Sequence, residues 1–93
     1  MGMTFCVEHL KGEDEYVNMS YSNAYMVWNA LRMPLEDDQY YWEGTVGQVL
    51  SACDTYNSIG IPDDYVSYRI RSIRDLCVRA LAEGPLSQKC TLC

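Results

Sequence analysis

The side chains best suited to holding a metal lie far apart in this chain. Cys6-x-x-His9 and Cys90-x-x-Cys93 supply three thiols and one imidazole. Three cysteines and a histidine form an accepted structural zinc set, tetrahedral, with thiolate and imidazole ligands. The spacing suits knuckle turns better than regular strands, where residues three apart face opposite sides. The set works only if the two segments meet. The plainer reading is a strand cysteine, a surface histidine and a free tail, with no cofactor. Cys90-Thr91-Leu92-Cys93 also has the C-a-a-X form of a prenylation signal. It has no basic run upstream, only Lys89, and prenylation needs a eukaryotic cell.

Three further stretches could bind rather than react. Arg69, projected at 100° per residue, falls between Leu76 and Ala80 at the edge of an apolar helix face. A cation there needs a carboxylate, a carbonyl or a ligand anion, or it snorkels to water. Arg71, Arg74 and Asp75 point to the opposite, solvated side, where Arg71–Asp75 and Asp75–Arg79 are ordinary i,i+4 pairs. Asn18 to Asn23 (NMSYSN) is dense in hydrogen-bonding groups. With Tyr21 and Tyr25 stacking, Asn18, Ser20 and Asn23 could line a small-ligand pocket with Arg69. Helix capping by Ser20 or Ser22 explains the same residues more simply. Finally, Tyr40, Tyr41 and Trp42 stand together among Glu36, Asp37, Asp38 and Glu43. Three consecutive aromatics cannot all face one core, so at least one should be exposed, and Tyr and Trp dominate interface hot spots. The competing role is a lid over the helices.

Catalytic signatures are missing. His9 is the only histidine, so a Ser–His–Asp or Cys–His site would have to be built on it, inside an expected strand. There is no G-x-S-x-G, H-E-x-x-H, P-loop or G-x-G-x-x-G. Asp37-Asp38 and Asp63-Asp64 are adjacent carboxylates in solvated positions. No catalytic residue is expected.

The elements that must position these groups follow from periodicity. Pro62 to Glu83 is the longest periodic stretch, with Val66, Ile70, Ile73, Cys77, Ala80 and Leu81 on one face. Pro62 suits the first helical position, Asp63 and Asp64 favour the positive end of the helix dipole, and Gly84-Pro85 stops the helix, with Gly84 as a left-handed cap. Ala24, Val27, Trp28 and Leu31 mark an earlier helix ended by Pro34. Val46, Val49, Leu50, Cys53 and Tyr56 mark a middle helix that begins with a Thr45/Gln48 capping box and closes at Gly60. The helices are expected near 21–33, 46–58 and 63–83. Met3 to Leu10 reads as a strand, Lys11 to Glu15 as a turn on Gly12, and Tyr16-Val17 as a second strand. Leu35 to Gly44 reads as an acidic connection, and residues 85–93 as a terminal strand beside the first or a frayed tail. The expected fold is α+β: one domain over residues 1–93, with a three-helix core and a small sheet from the chain's two ends.

Composition sets the remaining limits. Apolar residues make up 48% of the 93 residues and charged residues 22%, as in ordinary globular domains. Thirteen acids against seven bases give a net charge of −6, which disfavours duplex nucleic acid as a partner. An acidic surface can instead steer the protein to a basic one. No apolar run approaches a membrane span, and Met1 to Glu15 lacks the basic region and apolar core of a signal peptide. Five cysteines, an odd number, argue against a disulfide framework, so the expected location is the cytosol. Cys53 and Cys77 read as small core residues. Oligomeric state is not encoded legibly, and a dimer stays open.

Residues 16–33, YVNMSYSNAYMVWNALRM, and residues 65–84, YVSYRIRSIRDLCVRALAEG, together resemble small uncharacterised proteins of bacteriophage genomes. Those share an N-x-S-x-x-N-A stretch before the first helix and a late helix rich in Tyr, Arg, Leu and Ala that ends in Gly. The group often ends in an aromatic strand, where this chain has Cys90-Thr91-Leu92-Cys93. The resemblance implies a phage accessory protein in the host cytosol and no particular reaction. The leading expectation is a binding protein that occupies a host protein's basic or aromatic groove through Asp37, Asp38, Tyr40, Tyr41 and Trp42. An inhibitor of a host defence complex fits that size and charge. The alternative is the small-ligand pocket on Asn18, Ser20, Asn23 and Arg69.

Overall fold

A computed structural model describes residues 2–10, 12–13, 15–36, 39–59 and 64–93. The elements in chain order are β1 (Gly2–Val7), β2 (Tyr16–Ser20), α1 (Tyr21–Ala30), β3 (Trp42–Thr45), α2 (Val46–Ile59), α3 (Asp64–Ala80) and β4 (Lys89–Leu92). The fold is α+β, as the residue patterns predict: three helices and one antiparallel sheet of order β2-β1-β4-β3. Sequence-distant β1 and β4 lie side by side at its centre, Phe5 opposite Leu92 and Val7 opposite Cys90.

Alternation sorts the strands into two faces. Met3, Phe5, Val7, Val17, Met19, Cys90 and Leu92 are buried. Thr4, Cys6, Asn18 and Thr91, one step away in register, remain accessible on the other face. The buried face meets Ala24, Val27 and Trp28 of α1, Val46, Val49 and Cys53 of α2, and Val66, Ile70, Ile73, Leu76, Cys77 and Ala80 of α3 in one core. Phe5 and Trp28 touch with ring centroids 5.7 Å apart, which ties the central strand to α1.

The helix ends are set by hydrogen bonding. Ser20 caps α1, its Oγ accepting from Asn23 N–H at 3.3 Å. The helix stops before Pro34 can act. Arg32 takes φ 60°, Arg32 N–H donates to Asn29 O, and Met33 N–H donates to Trp28 O. That is a Schellman ending with an arginine at the left-handed position. Thr45 caps α2 by accepting from Gln48 N–H at 3.1 Å, and the carbonyls of Gln88 and Leu86 take the N–H groups of Val46 and Gly47. The start of α3 at Pro62 and Asp63 and the close of α2 at Gly60 lie outside the described residues, as do Lys11 and Asp14 of the first turn.

Three expectations need correction. Residues 35–44 are not only a connection: Trp42 to Thr45 form an edge strand on β4, with Trp42 opposite Leu92 and Gly44 opposite Cys90. Leu81 is exposed, because α3 ends at Ala80 and the next residues tighten into i→i+3 turns. Gly84 is not a left-handed cap. It is small because a Cβ there would stand 2.5 Å from His9 Nδ1.

Candidate functional site

The aromatic triplet divides between core and surface. Trp42 is half-buried and lies edge-on to buried Trp28, with centroids 5.4 Å apart. Gly44 makes room for it: a Cβ at that position would come within 2.5 Å of the Trp42 ring. Tyr40 and Tyr41 face outward, 54% and 49% exposed. Neither tyrosine hangs free. Tyr40 sits edge-on to Tyr21 of α1 at 5.1 Å. One turn along, Tyr25 Oη donates to Gln39 O at 3.1 Å. Gln39 then locks the loop, its Oε1 accepting from Glu36 N–H at 2.8 Å and its Nε2 donating to Tyr41 O at 2.7 Å. Tyr41 Oη donates to Glu43 at 2.7 Å, and Lys89 pairs with the same carboxylate at 3.2 Å. These bonds, Tyr41's first, hold the Glu43 carboxyl below its ordinary range, and the Tyr41 hydroxyl is correspondingly raised. Asp37 and Asp38 lie outside the described residues. Tyr21 and Tyr25 thus serve this loop and not a pocket on residues 18–23.

The second candidate set does converge. Asn18, Ser20, Asn23 and Arg69 line one open cavity of about 530 Å³, with Gly2, Thr4 and Tyr65 beside them. It sits where β2 passes into α1 and the first turns of α3 run alongside. Thr4 Oγ1 donates to Asn18 Oδ1. Arg69 Nε donates to Tyr65 Oη at 3.0 Å, and its guanidinium lies over both the Tyr65 and Tyr68 rings, at 5.4 and 5.5 Å.

Cys6, His9, Cys90 and Cys93 do not converge. Cys90 is buried on the helix side of β4, while Cys6 and exposed Cys93 belong to the other face. Burial, and then the Cys93 thiol beside it, push the Cys6 thiol up. His9 Nδ1 meets Gln88 Oε1 at 3.0 Å. Among the described residues no three His, Cys, Asp or Glu side chains cluster as metal ligands. Burial pushes Cys53 and Cys90 up to about 12, and Cys77 in the same direction, so these are inert core thiols.

Sequence reasoning missed Gln88. It is 4% exposed, and its amide donates to Ala80 O at 2.9 Å and Pro85 O at 2.8 Å while its oxygen holds His9. No periodicity marks it, since its partners are its own turn at Pro85, the end of α3 at Ala80 and distant His9. Gln39 was equally silent in the sequence. Both are amides that close loops by bonding on two sides.

No protein-family model, curated protein or solved structure matches this chain. No helix among the described residues is long and apolar enough to cross a membrane.

Proposed function

We propose that this protein is a small acidic binding module that occupies a groove on another protein through Tyr40 and Tyr41. One observation carries the reading: two adjacent tyrosines, 54% and 49% exposed, are fastened in place by side-chain contacts to α1 and by Gln39. Tyrosine offers a large contact area with few torsions to freeze, and a loop held rigid before binding loses less entropy on association. In sequence, Glu36, Asp37 and Asp38 shortly precede the pair, with no Lys or Arg from 35 to 44. Such charge speeds encounter with a basic groove. The resemblance to bacteriophage proteins supports a host protein as the partner, and a host defence complex is the target we favour. Trp42 serves this surface from behind, as the wedge between β3 and Trp28.

Photocrosslinking tests the proposal. A benzophenone amino acid at position 40 should trap a discrete host protein from bacterial lysate. The same group at Leu86, 55% exposed on the chain between α3 and β4, should not trap it. Identical adducts from both positions, or none from position 40, contradict the reading.

A further inference from the structure

The cavity beside β2 and α3 is independent of the tyrosine loop and has its own chemistry. Among the described residues its charged side chain is Arg69, and no Asp or Glu lines it, in a protein whose net charge is −6. Arginine in such surroundings ordinarily takes a carboxylate partner. The three ion pairs among the described residues instead use Arg74, Arg79 and Lys89. Arg69 is held by aromatics. Its guanidinium lies over Tyr65 and Tyr68, and Nε is spent on Tyr65 Oη. With Nε spent on Tyr65 Oη, the Nη groups remain as in-plane donors for an acceptor. Nearby, Asn18 uses its oxygen on Thr4, which leaves its amide N–H groups as donors, and Asn23 adds a second amide. The cavity therefore gathers hydrogen-bond donors and one fixed positive charge.

We propose that this cavity binds a small molecule through one carboxylate or phosphate group. Arg69 grips the anion bidentately, and Asn18 and Asn23 donate to its remaining oxygens. The two chemistries share planar or tetrahedral oxygens that match the guanidinium fork. The cavity, of about 530 Å³, is open to solvent, so the anionic group is held at Arg69 while the rest of the ligand stays partly in water. The Tyr65 hydroxyl contributes by fixing the rotamer of Arg69, so Tyr65 is a positioning residue.

The test is an NMR titration of the full chain labelled with nitrogen-15, following Arg69 Nε–H and the side-chain amides of Asn18 and Asn23. Inorganic phosphate and succinate are titrated separately against sodium chloride at constant ionic strength. Saturable shifts at these groups are expected from phosphate or from succinate, and whichever anion saturates identifies the ligand chemistry. Arg69→Lys keeps the charge but loses the fork, and should weaken binding about 10-fold. Asn23→Ala, a change that favours the helix, should weaken it about 3-fold or more. Arg71→Gln, on the solvated side of α3, should bind as the unchanged protein does. Shifts that never saturate, that chloride reproduces, or that survive both Arg69→Lys and Asn23→Ala overturn the proposal.

Discussion

Gln88 is the residue on which most local structure converges. Its amide donates to Ala80 O at the end of α3 and to Pro85 O in the turn that follows, and its oxygen meets His9 just past β1. Gln88→Ala leaves Ala80 O and Pro85 O to their backbone donors, Glu83 and Gly84 N–H and Gln88 N–H, but takes the partner from His9 and opens a gap at a nearly buried position, and should cost about 1–2 kcal/mol, measured by chemical denaturation. Ser87→Ala, one residue earlier and exposed, should stay within about 0.5 kcal/mol. The buried thiols make a pH prediction. Cys53 and Cys90 ionise near 9 when solvated and near 12 in the fold. Between those values the unfolded chain loses protons that the native state keeps. Their stabilising effect is whole below pH 9 and falls as pH rises, by about 1.4 kcal/mol per unit per thiol. Denaturant midpoints from pH 8 to 11 should show the fall, and Cys53→Ala should make it shallower. Cys53 and Cys77 were legible as core residues because each sits on a helical apolar stripe. Gln88 was not, because a buried glutamine differs from an exposed one only in what the fold brings to it.

At the scale of elements, apolar periodicity told most of what mattered. Val66, Ile70, Ile73, Cys77 and Ala80 all lie in the core. Ile73→Ala should cost about 2–4 kcal/mol, and Leu81→Ala under about 0.5, since Leu81 stands outside. Near-equal losses would mean that α3 packs on a different face. β3 could not be read the same way. Four residues, Trp-Glu-Gly-Thr, carry one strong strand former and a glycine, and their partner strand lies more than forty residues downstream. A short edge strand is specified by its neighbour and by Trp42 covering Gly44, neither of which is local. The end of α1 holds a similar surprise. Pro34 looks like the stop, yet Arg32 adopts φ 60° two residues earlier. A side chain there costs about 1 kcal/mol that glycine avoids. Arg32→Gly should therefore raise Tm, and a drop would show that the arginine makes a compensating contact.

At the scale of the molecule, the sheet and helices pack on one core and present two different surfaces. Exposed tyrosines sit on the α1–β3 connection, and a donor-lined cavity lies where β2 enters α1. The sequence indicated that at least one aromatic of the triplet would face water, by the simple argument that three neighbours cannot share one core. It could not say which, because that depends on Trp28 receiving Trp42. The convergence of Arg69 with Asn18 and Asn23 was open to a helical projection only as a possibility of reach. Its geometry depends on how α3 lies across the β1–β2 pair. The division of labour within the triplet is the central claim, and one paired measurement tests it. Affinity for the partner trapped at position 40 and Tm are both determined for Tyr40→Ala/Tyr41→Ala and for Trp42→Ala. The double variant should lose about 1.4–2.7 kcal/mol of binding, roughly 10- to 100-fold, with a smaller fall in Tm than Trp42→Ala, since it gives up the Tyr21 ring contact and the Glu43 bond but no core packing. Trp42→Ala should lower Tm and reduce binding only in proportion to the folded fraction. Unchanged affinity in the folded double variant would contradict the account.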